Sequence, residues 1–337
     1  MLYGIGFSIV ILGIFSFKLY NDQGDGFKST IDWCESNHLL STYFAEYWNT
    51  LTGICILLSS LVFYYNYKTF IYESKYTINF LRITILLFIV GIGTMLFHST
   101  LFYPFQLLDE LPMILLANEY VILLMSLKTT QMAISKTSYD YLNKGLVITN
   151  KSLPLIILSY FIHPRLQIVI FHIALKISEL SLLYILYNLS KKLNHIIYSK
   201  IYINNDYIKR QKQMYKQRIM MTSFIDLNRT QTNHNYLRDS ILLQNSQKLL
   251  KIYLTMKTDL KNIIQNSIYL YSSSLFLWGI ENMFCKYVQS LQLHAIWHVL
   301  SSIGIYYLNM IPLLFQLLLL LNYSFLLILI NSFLILI

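Results

Sequence analysis

The chain has 337 residues, 55% of them apolar and only 12% charged, with a mean hydropathy of +0.50. A soluble domain of this length carries about twice that share of charge, so an ordinary water-soluble globule is excluded. The net charge of +10 lies in one biased polar stretch without any nucleic-acid-binding motif, so no nucleic-acid partner is expected.

Apolar runs of about 20 residues, long enough to cross a bilayer as helices, recur along the chain. They fall near 3–20, 47–66, 79–101, 108–127, 147–163, 166–189, 263–280, 292–311 and 313–336. Backbone polar groups in lipid must satisfy one another, so these runs are predicted as helices. The expected fold is an all-α membrane protein: a seven-transmembrane helix bundle with extra hydrophobic helices at both ends. Residues 1–25 read as a signal or anchor segment, 26–46 as an acidic segment, and 47–190 as core helices one to five. A basic loop fills 191–262, core helices six and seven fill 263–311, and 312–337 is a hydrophobic C-terminal segment that could span or form a hairpin.

The 191–262 stretch carries 14 Lys/Arg against 4 Asp and is rich in Asn, Gln and Tyr. It reads as a mostly disordered loop able to touch anionic lipid. Excess Lys/Arg marks the cytosolic side, which orients the other loops. Alternation then puts the 32–50 segment and the turns at 101–108 and 281–292 together on the lumenal or exterior side. Cys34 and Cys285 share that side, where thiols oxidise, so a disulfide between them is one expectation and two free thiols the other. Cys55 lies inside a span and reads as packing.

Three segments at that face carry chemistry. LQLHAIWHVL sets His294 and His298 one helical turn apart, on one face, able to meet one metal. No HExxH glutamate accompanies them, which excludes a zincin-type protease. GIGTMLFHSTLFYPFQLLDELPM sets Thr94 one turn before His98, then Asp109 and Glu110 at the start of the next span. Ionisable groups at membrane depth are costly and point to function. Three imidazoles with an open position have the composition of a catalytic zinc site. The third segment, DWCESNHLLSTYFAEYWNT, gathers Asp32, Glu35, Asn37 and Glu46, oxygen donors suited to a hard cation such as calcium or to a solvated acidic turn.

These blocks, with WGIENMFC at 278–285, resemble the alkaline ceramidases, within a wider superfamily of seven-span membrane hydrolases. The resemblance covers roughly residues 30–190 and 263–310. It implies zinc held by His98, His294 and His298, with Asp109 orienting or deprotonating the attacking water. It also implies calcium held by Asp32, the Trp33 carbonyl, Glu35, Asn37 and Glu46. The family usually carries serine where this chain has Thr94, and threonine keeps the hydroxyl but adds a methyl that restricts χ1. The implied reaction is hydrolysis of ceramide to a sphingoid base and a fatty acid in the bilayer of the endoplasmic reticulum or Golgi. Two other readings stay open: a related hydrolase that remodels lipid anchors, and a non-catalytic lipid receptor resembling the adiponectin-receptor branch. Within 166–189, His172 stands with Lys176 and Glu179, the latter two at a spacing that favours a self-neutralising pair.

Overall fold

The computed structural model describes residues 28–127, 130, 134–163, 165–192 and 229–334. The predicted helix at 3–20 and residues 193–228 of the basic stretch lie outside the described residues. The described helices are α1 Tyr47–Glu73, α2 Thr77–Thr100, α3 Tyr103–Ser126, α4 Lys136–Ile162, α5 Arg165–Lys192, α6 Arg229–Val288 and α7 Leu293–Leu334. A short 3-10 turn, Gln289–Leu291, joins α6 to α7. The chain is an all-α membrane protein. By length and composition, α1, α2, α5 and the Leu293–Leu318 part of α7 are each able to cross a membrane. Asp109, Glu110 and Glu119 lower the apolar character of α3 below that standard.

The described residues of Met1–Asn188 and Ile264–Met310 form one compact unit, and those of Leu189–Ile263 and Ile311–Ile337 form a second. The site described below lies in the first. Lipid tails are as apolar as leucine, so close packing rather than water exclusion holds membrane helices together, and small residues decide where backbones meet. Gly91 and Gly93 do this for α2 on two faces. A Cβ on Gly91 would lie 2.6 Å from the Leu57 nitrogen of α1, and one on Gly93 would lie 2.5 Å from the Leu108 carbonyl oxygen of α3. A buried cluster of Leu107, Leu111 and Ile114 on α3, Ile156 on α4, and Phe171 and Leu175 on α5 fills the adjoining layer.

Residues 28–46 form a strap over one end of this unit. The last carbonyls of a helix lack intrahelical partners. Here the Glu46 and Ala45 N–H groups donate to the His98 and Ser99 carbonyls of α2, at 2.9 and 3.0 Å. The first N–H groups of a helix are likewise unsatisfied, and the Glu35 carboxylate accepts from Trp48 at 2.7 Å and Asn49 at 2.9 Å, capping α1. Strap, α1 and α2 are thereby fixed as one piece.

Two expectations change. Residues 229–262, read as part of a disordered loop, are helical and run on into the 263–288 segment. Leu242, Leu249, Tyr253, Met256, Leu260 and Ile264 recur at helical spacing, a period hidden by the Asn, Gln and Lys between them. The predicted break between 292–311 and 313–336 is also absent, because α7 continues through Pro312. A proline removes one ladder hydrogen bond, which a membrane helix tolerates more readily than a helix in water.

Candidate metal centre

His98 lies in the last turn of α2, and His294 and His298 lie one turn apart at the start of α7. The tight turn at Gln292, with φ of 51°, sets the entry of α7. The three rings meet with centroids 5.2, 5.1 and 4.7 Å apart, and one nitrogen from each lies within 4.8 Å of the others. All three are buried, and among the described residues no other His, Cys, Asp and Glu group gathers in this way.

Hydrogen-bond contacts at Nδ1 back two of the three rings and leave their Nε2 atoms free. His98 Nδ1 meets Glu46 Oε2 at 2.5 Å. His298 Nδ1 lies 2.9 Å from Thr52 Oγ1, whose own proton goes to the Trp48 carbonyl at 2.8 Å, so the imidazole is the donor. His294 Nδ1 faces Glu281 Oε2 at 3.5 Å. The Nε2 atoms of His98 and His298 and the Nδ1 of His294 are buried without a hydrogen-bond partner. Orphaned buried nitrogens are costly unless something binds them, and imidazole backed by carboxylate or hydroxyl on Nδ1 is the usual arrangement around a metal. The donor set therefore fits zinc. Trp33 covers the group from the strap, stacking on His294 at 4.1 Å.

Thr94 sits one turn before His98 and its Oγ1 reaches Asp109 Oδ1 at 2.6 Å and the Val90 carbonyl at 2.8 Å. One hydroxyl has one proton, so these two acceptors compete for it. The close approach at Gly93 creates this pair, because it presses α2 onto the Leu108–Asp109 backbone. Asp109 is 9% exposed and Thr94 1%. An apolar cavity begins at Thr94 and Trp297 and follows Ser301, Ile305 and Leu308 down α7. From Trp297 to Leu308 that stripe rises 11 residue steps, or roughly 16 Å at helical rise. The Thr94 hydroxyl, paired with Asp109, thus borders an apolar cavity close to the three histidines.

The oxygen donors of the strap are used differently from one another. Asn37 Nδ2 donates to both Asp32 oxygens, at 3.0 and 3.2 Å, and both residues are exposed. Glu35 caps α1, and burial pushes its carboxyl above the ordinary value despite the two backbone N–H groups that pull it down. Burial also pushes Glu46 upward, but the facing His98 imidazole outweighs it and leaves that carboxyl low. Glu46 further accepts from the Trp33 N–H at 3.0 Å and Asn49 Nδ2 at 2.8 Å. The acidic residues thus divide between Asp32 with Asn37 outside and Glu35 with Glu46 inside. Cys34 and Cys285 are joined by a disulfide, with Cα atoms 5.4 Å apart, tying the strap to the end of α6. Cys55 is a free, partly buried thiol.

Two neighbours of the histidines carried no role in the sequence reading. Glu281 stood in a quoted block, and a lone carboxylate in an apolar span is itself a signal. Thr52 gave none, since a hydroxyl in a membrane helix is commonplace. Glu110, beside Asp109, accepts from Gln106 at 2.7 Å and Gln167 at 2.6 Å, a wholly internal network.

Fold and site together define a helical membrane protein equipped to hold a metal beside a carboxylate–hydroxyl pair. The sequence profile of the ceramidase family matches residues 26–324, so the chain belongs to the ceramidase family. An alkaline ceramidase of Saccharomyces cerevisiae is 51% identical over 86 residues, 26% of this chain and 26% of the relative. Alkaline ceramidase 3 of Mus musculus is 38% identical over 86 residues, 26% of this chain and 31% of the relative. The dcd3B protein of Dictyostelium discoideum is 23% identical over 298 residues, 83% of this chain and 85% of the relative. The matched stretches of the yeast and mouse proteins thus span about a quarter to a third of their lengths.

Proposed function

We propose that the protein is a zinc-dependent amidase of the membrane that hydrolyses ceramide to a sphingoid base and a fatty acid. The observation that carries this reading is the meeting of His98, His294 and His298, each with a buried ring nitrogen that has no hydrogen-bond partner. Family membership supplies the substrate class, and the amide bond is the one ceramide offers for hydrolysis. Zinc, when bound, supplies the Lewis acidity that makes water a nucleophile near neutral pH.

The chain's own residues do the rest. Asp109 accepts the proton of the attacking water and returns it to the leaving amine, acting as base and then acid. Thr94 releases its proton from Asp109 and donates it to the oxygen that gains charge. Glu46 and Thr52 hold His98 and His298 in the tautomer that presents Nε2, and Glu281 stands beside His294. The apolar cavity takes one chain of the lipid and keeps bulk water away. The metal end faces the lumen of the endoplasmic reticulum or Golgi, with the basic stretch cytosolic, and the Cys34–Cys285 disulfide supports an oxidising compartment. Calcium at Asp32, Glu35, Asn37, Glu46 and the Trp33 carbonyl is a separate proposal. A calcium titration followed by thermal stability tests it.

The deciding experiment is hydrolysis of a fluorescent ceramide by purified protein, beside His298→Ala and a chelated sample. Turnover that disappears in both controls upholds the amidase. Full zinc occupancy without turnover removes it and leaves a lipid receptor or another lipid substrate.

A further inference from the structure

Gly53 is buried inside α1, where no turn requires a glycine and where glycine is less favourable than alanine. The two glycines of α2 answer to backbone, since a Cβ on Gly91 or Gly93 would strike main-chain atoms at 2.6 and 2.5 Å. Gly53 is different. A Cβ there would first meet two side chains of α2, Met95 Cγ at 3.0 Å and Thr94 Cγ2 at 3.1 Å. The nearest main-chain atom, the Met95 nitrogen, comes only at 3.3 Å. The space beside Gly53 is therefore the seat of a methyl group that a serine at position 94 would not carry.

That methyl is tied to the chemistry. Cγ2 and Oγ1 of Thr94 share one Cβ, so turning the methyl away from its seat turns the hydroxyl as well. As seated, Oγ1 lies 2.6 Å from Asp109 Oδ1 and 2.8 Å from the Val90 carbonyl. A threonine in a helix divides between two side-chain wells, because its hydroxyl can reach a backbone carbonyl one turn back. Room at Gly53 admits the well that aims the hydroxyl at Asp109, and a side chain there would press the methyl out of it. The preceding residue, Thr52, meets His298 at 2.9 Å, so one turn of α1 backs both a metal-ready imidazole and the hydroxyl.

Resting on the amidase reading, we infer that Gly53 is a positioning residue: it seats the methyl by which Thr94 differs from serine and so keeps the hydroxyl on Asp109. It acts through Thr94 and is not among the residues that line the cavity. Threonine serves at this position because α1 carries no side chain opposite its methyl.

The test is a double-substitution cycle on full-length, zinc-loaded protein, with kcat for ceramide and zinc content measured on each sample. Gly53→Ala should lower kcat about tenfold beside Thr94, the effect of holding a side chain about 30° off its well, at unchanged zinc content. In a Thr94→Ser background the same substitution should lower it less than about twofold, because the methyl is gone. A role in helix packing alone would give equal losses in the two backgrounds. The hydroxyl–carboxylate pair is read directly from the infrared carboxyl band of Asp109, taken as the difference from Asp109→Asn. Gly53→Ala should shift that band beside Thr94 and leave it in place beside the serine. Equal losses in the two backgrounds, or no loss in either, overturn the inference. If Gly53→Ala does not fold beside Thr94, adding Met95→Ala to both backgrounds removes the 3.0 Å contact and leaves the methyl as the side chain that the new Cβ meets. If no ceramide is turned over by any form, the amidase reading fails separately, and the infrared band decides the inference by the same comparison.

Discussion

Gly93→Ala probes whether the Thr94–Asp109 pair depends on backbone contact between α2 and α3. The new Cβ would stand 2.5 Å from the Leu108 carbonyl oxygen and 2.7 Å from the Asp109 nitrogen, both backbone atoms that no rotamer change can move. Ordinary contact begins near 3.4 Å, so α3 must retreat by about 0.9 Å at this point. The same retreat stretches the 2.6 Å Thr94–Asp109 hydrogen bond to about 3.5 Å, beyond useful range. Overpacking of this kind costs about 1–3 kcal/mol of stability, and a misplacement near 1 Å costs about a hundredfold in rate. The assay is ceramide turnover with zinc stoichiometry measured on the same sample. Gly279→Ala is the control, because a Cβ there meets nothing within 4 Å. Wild-type turnover by a zinc-loaded Gly93→Ala protein would refute the idea that this close approach sets the pair.

Three further outcomes follow from the site. Glu281→Gln should weaken zinc binding by about ten- to a hundredfold, measured by competition with a chromophoric chelator, because the 3.5 Å partner of His294 loses its charge. Thr94→Val should lower turnover by about a hundred- to a thousandfold at unchanged zinc content, while Thr94→Ser retains activity. Cys34→Ser, or reduction of the wild-type protein, should cost about 2–5 kcal/mol, read as a lower unfolding temperature in detergent, since the bond spans 251 residues.

Much of this arrangement can be read from residue types alone. The apolar runs give helices, and HxxxH together with a histidine and an aspartate flanking the turn at 101–108 marks the groups that the bundle gathers. Partners without a distinctive spacing are harder to see. Thr52 lies 246 residues from His298, and only the folded chain brings its hydroxyl to that ring. Glu35 and Glu46 read as two of a kind in an acidic segment, yet one caps α1 and the other backs His98. The helix through 229–262 escaped because its polar composition outweighed its apolar period, and the continuity of α7 because Pro312 reads as a break. The fit of the Thr94 methyl beside Gly53 likewise depends on two helices meeting and has no linear signature.

The centre joins two distant parts of the chain. His98 emerges from the ribosome early and His298 comes 200 residues later, a delay of about 10–40 s at ~5–20 residues per second. Through that interval the growing chain holds Thr94, His98 and Asp109 but not the two imidazoles that complete the group. The metal-ready group therefore cannot exist before α7 is made and packed, and its assembly reports the meeting of α2 with α7 rather than the growth of the chain.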